Sequence, residues 1–128
     1  MKIAIGSNDK QTINPRHFGE SKFYMIFEIL NGEIKSEELR ENPFHVEGKA
    51  EHGKTKQVME FLDDCDLFMG KTIGKKALEQ LADNNIEVIT TKIKDIQQAI
   101  EYYLIGKDDY FKFYNKDKRS MTPCTDRD

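Results

Sequence analysis

Apolar and polar positions change period partway along the chain, and the change predicts the order of its elements. Residues 2–7 predict a strand with Ile3 and Ile5 on one face. A polar loop over 8–21 follows, with Pro15 and Gly19 in it. Residues 22–30 predict a second strand in which Phe23, Met25, Phe27 and Ile29 alternate with Tyr24, Ile26, Glu28 and Leu30. Both of its faces are largely apolar, so it is expected to be covered on both sides. Asn31-Gly32 is a two-residue hairpin signal. The strand it introduces, from Glu33 to about Arg40, is polar enough to be an edge.

Thr55, Val58, Met59 and Leu62 then recur at helical spacing, predicting a helix over residues 54–63. A short buried strand at 65–69 ends at Gly70. A second helix carries Ala77, Leu78 and Leu81 and closes through Asn84-Asn85, since asparagine tolerates a left-handed cap. A strand at 86–90 and a helix with Ile96, Ala99, Ile100, Tyr103 and Leu104 complete the pattern. The order β-β-β-α-β-α-β-α predicts a mixed sheet with right-handed parallel crossovers in its second half. The hairpin adds one antiparallel strand, and helices are expected on both faces. Residues 107–128 mix charges with Tyr110, Phe111, Phe113 and Tyr114. They are expected to be a charged tail beyond a single domain at 1–106, with its aromatics packed on the domain or on a partner and its residues disordered from Lys116 onward.

Composition narrows the function. The net charge of −3, with 34% charged residues of both signs, gives no footprint for nucleic acid and no basic membrane anchor. No apolar run approaches the roughly 20 residues of a membrane span. A cytoplasmic, soluble protein is expected. The two cysteines lie far apart without a C-x-x-C, which excludes a disulfide framework and a cysteine-only metal site. Cys65 is expected to be buried, and Cys124 to lie exposed in the tail.

Residues 48–55 satisfy the phosphate-loop pattern G-x-x-x-x-G-K-[ST]. The context opposes that reading. A polar hairpin strand and Asn42-Pro43 precede the run instead of a buried parallel strand, and no later strand ends in a magnesium-binding aspartate. Histidine carries the sharper signal. His17 lies in the loop after the first strand, and His45 and His52 lie between the hairpin and the first helix. If these loops meet at one rim of the sheet, three imidazoles converge on a metal, iron included. Gly70-Lys71-Thr72-Ile73-Gly74 is a strand-to-helix turn. Its glycines are expected to permit positive φ and close backbone approach, either as a plain connection or as a cradle for an anion.

The ordered set of Lys2-Ile3-Ala4-Ile5, His17-Phe18-Gly19-Glu20-Ser21, Glu41-Asn42-Pro43, Gly70-Lys71-Thr72-Ile73-Gly74 and Asn85-Ile86-Glu87-Val88 resembles the dinitrogenase iron–molybdenum cofactor biosynthesis family over residues 1–106. The resemblance implies a three-layer α/β/α fold with a ribonuclease-H-like motif and a five-stranded mixed sheet. It implies a non-catalytic carrier of an iron–sulfur or iron–molybdenum cluster, or its precursor, passed among metallocofactor assembly proteins. His17, Phe18, Gly19, Gly70, Ile73 and Gly74 are the cofactor-binding residues it implies, with His17, His45 and His52 as metal ligands. Thr72 stands where the family's turn has its middle glycine. A metal-free regulatory or partner-binding module is the alternative. A ribonuclease-H-like nuclease is disfavoured, because Glu28 and Asp66 have no accompanying carboxylate cluster.

Overall fold

The computed structural model describes residues 1–45 and 55–126. One sheet has the strand order β3-β2-β1-β4-β5-β6-β7. Its strands are β1 (Lys2–Ser7), β2 (Phe23–Leu30), β3 (Glu33–Glu41), β4 (Leu67–Gly70), β5 (Glu87–Thr91), β6 (Phe111–Asn115) and β7 (Ser120–Pro123). The helices are α1 (Thr55–Phe61), α2 (Lys75–Asp83) and α3 (Ile96–Leu104). β1, β4 and β5 run parallel, while β2 and β6 run against their neighbours.

Strand alternation sends side chains into two cores, one on each face of the sheet. Ile3, Ile5, Phe27, Met69 and Ile89 pack with Ile96, Ala99 and Ile100 of α3. Ala4, Tyr24, Ile26, Phe68 and Val88 pack with Val58 and Leu62 on the α1 side and with Leu78 and Leu81 of α2. Helices therefore cover both faces, and β2 is enclosed on both sides as its composition predicts. Asn31 and Gly32 both take positive φ (54° and 78°), the geometry a two-residue hairpin requires. Asn85 closes α2 at φ 60°. Most β3 side chains are exposed, as its polar pattern foretells. Beside this edge, Arg40 grips Asp64 through two nitrogens (2.8 and 2.6 Å), tying β3 to the turn before β4.

The C-terminal reading needs correction. The sheet has seven strands, not five, and residues 111–123 are not a tail. β6 pairs with β5 from Ile89↔Phe113 to Thr91↔Phe111, and β7 pairs with β6. Phe111 and Cys124 are both 3% exposed within the α3-side core, so Cys124 is buried, not exposed. The physical reason is a short alternation hidden among charges. Phe111 and Phe113 face α3, while Tyr114 packs on the other core. Asn115 then accepts the N–H groups of Asp117 and Lys118, shaping the turn into β7.

Candidate functional site: a histidine turn against the β4–α2 loop

The loop after β1 is ordered by its own polar side chains. The Asp9 carboxylate accepts the Thr12 hydroxyl (2.6 Å) and the N–H groups of Thr12 (2.7 Å) and Gln11 (2.9 Å). These bonds, led by those from Thr12, lower its pKa to about 2. Asn14, buried at 2% exposure, accepts from the Asn8 amide and the Arg16 N–H, and donates to the His17 carbonyl and the Ser21 hydroxyl. All four contacts are 3.0 Å.

The next turn is the 3-10 helix Phe18–Glu20. The Phe18 carbonyl accepts the Ser21 hydroxyl (2.8 Å) and the Tyr24 hydroxyl (2.9 Å). Asn42 donates to the Ser21 carbonyl (2.8 Å) from the end of β3. Asn14, Ser21, Tyr24 and Asn42 thus form a satisfied buried polar network beneath the turn. Burial also raises the Tyr24 phenol pKa, so it stays a hydrogen-bond donor.

This turn docks on the β4–α2 loop. Phe18 donates its N–H to the Thr72 carbonyl (3.0 Å), and His17 and Thr72 form a parallel bridge. The Thr72 hydroxyl lies 3.1 Å from His17 Nδ1. The His17 residue is exposed. The His17 and Gly70–Gly74 segments, separate in sequence, therefore share one rim beyond the carboxyl ends of β1 and β4.

Phe18 is a foundation of the site and not a wall of it. At 2% exposure its ring packs 4.8 Å from Phe68 and 4.9 Å from Tyr24. It also covers Gly70, where a β-carbon would come within 3.2 Å of Phe18 Cβ. The expectation of positive φ in the Gly70–Gly74 turn is corrected: only Gly32 and Gly106 among the described glycines have it. Gly74 is the N-cap of α2 at φ −61°. Gly70 is needed for close packing, whereas a β-carbon at Gly19 or Gly74 would meet nothing within 4 Å. Ile73 is half-buried against the α1–α2 core.

His45 also contacts this turn. Its Nδ1 lies 3.2 Å from the Glu20 carbonyl, and its Nε2 is enclosed without a partner among the described residues. His52 and most of the phosphate-loop pattern at 48–55 lie outside the described residues. Among the described residues no group of three or more histidines, cysteines or carboxylates is arranged to hold a metal ion. The thiols offer no ready thiolate. Burial, aided by Asp64, pushes Cys65 up to about 12, and burial with Asp108 pushes Cys124 up to about 11. Asp66 accepts the Lys2 N–H (2.8 Å) and Glu28 the Ser36 hydroxyl (3.2 Å), so neither belongs to a carboxylate cluster.

What the sequence reading missed is the buried network of Asn14, Ser21 and Asn42. Ser21 and Asn42 stood in motifs already singled out, but nothing in the sequence distinguishes a buried polar loop residue from a solvated one.

Together the mixed sheet, its two-faced helical cover and the histidine turn define a small α/β domain presenting one imidazole at a sheet rim. Residues 1–106 match the family described as dinitrogenase iron-molybdenum cofactor, and the chain belongs to that family. It is 32% identical over 112 residues to an uncharacterised protein of Methanocaldococcus jannaschii, covering 88% of this chain and 92% of that one. Its fold is similar to the crystal structure of PH0822, with a TM-score of 0.70, 25% identity, and coverage of 83% of this chain and 92% of that one. The apo form of the orange protein from Desulfovibrio gigas is similar at a TM-score of 0.67 and 18% identity, covering 83% and 88% of the two chains. No described helix is long and apolar enough to cross a membrane.

Proposed function

We propose that this chain is a non-catalytic carrier for an iron–sulfur or iron–molybdenum cluster, or its precursor, in metallocofactor assembly. Family membership associates it with dinitrogenase cofactor biosynthesis. The observation that carries the finer reading is His17 itself: an exposed imidazole on a turn fixed from below, with Nδ1 beside the Thr72 hydroxyl. A ring held by an Nδ1–H donated to Thr72 presents its Nε2 lone pair outward, as ligating histidines require. With both cysteines buried, imidazole is the donor this reading gives an iron-containing cargo.

His45 is the second ligand in this reading, through its unpaired Nε2, and His52 the third. One to three imidazoles and few other ligands make a loosely held cargo, which suits handover to other assembly proteins in the cytoplasm. The Gly70–Gly74 loop, which meets His17 at Thr72, serves as the wall beside it. The succession β3-β2-β1-β4-β5, with β2 reversed, supports reading this part of the sheet as a ribonuclease-H-like motif.

Anaerobic reconstitution with iron and sulfide, or with isolated cofactor, tests the proposal through visible absorption and metal content. Wild type is expected to take up metal and His17→Ala to lose most of it. Equal uptake by the two would sink the site. No uptake by wild type would favour a metal-free partner-binding module.

A further inference from the structure

A second cleft, separate from the His17 turn in its chemistry, lies beyond the carboxyl ends of β4 and β5. Its volume is about 360 Å³, and its lining includes Lys71, Thr90, Lys92, Asp109 and Lys112. Its position follows from the topology. The chain leaves β4 for α2 on one face of the sheet and leaves β5 for α3 on the other. Diverging connections of this kind open a crevice at the strand ends, where open α/β sheets receive ligands. Lys71 directly follows β4 and Lys92 directly follows β5. The third lysine comes from the C-terminal hairpin, for Lys112 of β6 sits opposite Thr90 of β5. That hairpin lies outside the residues 1–106 that match the family.

The charge of the cleft runs against that of the protein. Three lysines face one carboxylate, Asp109, for a formal +2 (3 − 1), whereas the whole chain carries −3. Lys71, Lys92 and Lys112 are exposed, and none is ion-paired with a described carboxylate. Three lysines lining one concavity give it a positive field that a bound anion would answer. Thr90 adds a half-buried hydroxyl to the lining. A single monovalent anion would leave much of this field unanswered, and a long polyanion would overrun so small a cleft.

We propose that this cleft binds a compact multivalent oxyanion of the diphosphate type, free or borne on a small metabolite, through Lys71, Lys92 and Lys112. The site needs neither His17 nor a metal, so it stands or falls apart from the carrier reading.

Titration calorimetry of the full chain with inorganic pyrophosphate at low ionic strength tests it, with a nucleoside diphosphate as a second arm. Saturable one-to-one binding that weakens as salt is raised is expected. Stronger binding of pyrophosphate assigns the site to free anions, and stronger binding of the nucleoside diphosphate to a diphosphate-bearing metabolite. Lys92→Gln with Lys112→Gln is expected to weaken binding by about tenfold or more. Lys118→Gln, remote from the lining, and His17→Ala are expected to leave it unchanged. Non-saturable heats with both anions, or equal binding by the Lys92→Gln/Lys112→Gln and Lys118→Gln proteins, would overturn the proposal.

Discussion

Thr72 Oγ1 and His17 Nδ1 lie 3.1 Å apart, although the residues are 55 positions apart in sequence. The contact turns a departure from the family's glycine pattern into a feature of the site. A glycine at position 72 would leave the same backbone bond to the Phe18 N–H but no hydroxyl to hold the imidazole. Groups that orient a ligating histidine typically change metal affinity by about tenfold or more when removed. Thr72→Val keeps the side-chain shape and removes the hydroxyl. It is expected to weaken metal retention by about tenfold while leaving thermal stability nearly unchanged, measured by chelator competition and thermal unfolding. Undiminished retention would show that the Thr72 hydroxyl does not orient a ligand.

Gly6 tests whether the turn is truly preorganised from below. A β-carbon there would come within 2.2 Å of Ser21 Oγ and 3.2 Å of the Phe18 ring. Ser21 cannot retreat freely, because its hydroxyl donates to the Phe18 carbonyl and accepts from Asn14. Gly6→Ala is therefore expected to cost about 1–3 kcal/mol by overpacking and to loosen His17 with it. Chemical denaturation reads the first effect, and metal retention by the folded fraction reads the second. A fully stable Gly6→Ala protein would mean that the network rearranges at little cost.

The elements up to residue 106 were legible because their apolar periods are clean. Ile3 and Ile5, the two-faced run of β2 and the Leu78–Leu81 spacing each admit one reading. Asn31-Gly32 named its own turn. β6 and β7 were obscured because Lys112 interrupts a strand only five residues long and Lys116, Lys118 and Arg119 crowd the turn after it. The same charges that solubilise this edge imitate a disordered tail. At the site, the sequence singled out both the His17 segment and the Gly70–Gly74 segment, but not what joins them. Gly70 is small because Phe18 lies over it, a contact between residues 52 apart that no local pattern encodes.

Asp9 gives the loop that holds His17 a defined sensitivity to acid. Its carboxylate is lowered from 3.8 to about 2 by bonds that the folded loop supplies and the unfolded chain lacks. Such a group adds stability that is fully present above about pH 4 and is lost as pH falls toward 2. Because Asp9 is exposed, solvent screening keeps the effect small. Asp64 is likewise held well below the usual carboxylate range, chiefly by Arg40, and acts with the same sign. Asp9→Asn is expected to be less stable than wild type at neutral pH, with the difference closing below about pH 2. Urea titrations across that interval measure it. A difference constant down to pH 2 would mean that the carboxylate charge is not what the loop reads.

The C-terminal segment belongs to the folded unit. Removing residues 107–128 would take β6 from the exposed flank of β5 and strip Phe111 and Cys124 from the α3-side core. It would also remove the Tyr110 carbonyl, which accepts the Thr91 hydroxyl at 2.7 Å. Losing a buried phenylalanine alone costs about 3–5 kcal/mol, and an uncovered strand edge invites association between chains. The truncated chain is thus expected to unfold at markedly lower temperature and to aggregate, as read by calorimetry and light scattering. Thiol chemistry supplies a check that requires no truncation. With its pKa pushed up to about 11 and its side chain enclosed, Cys124 is expected to resist a thiol reagent at pH 8 until denaturant is added. Rapid labelling of Cys124 in the native protein, located by peptide mapping, would return the hairpin to the status of a tail.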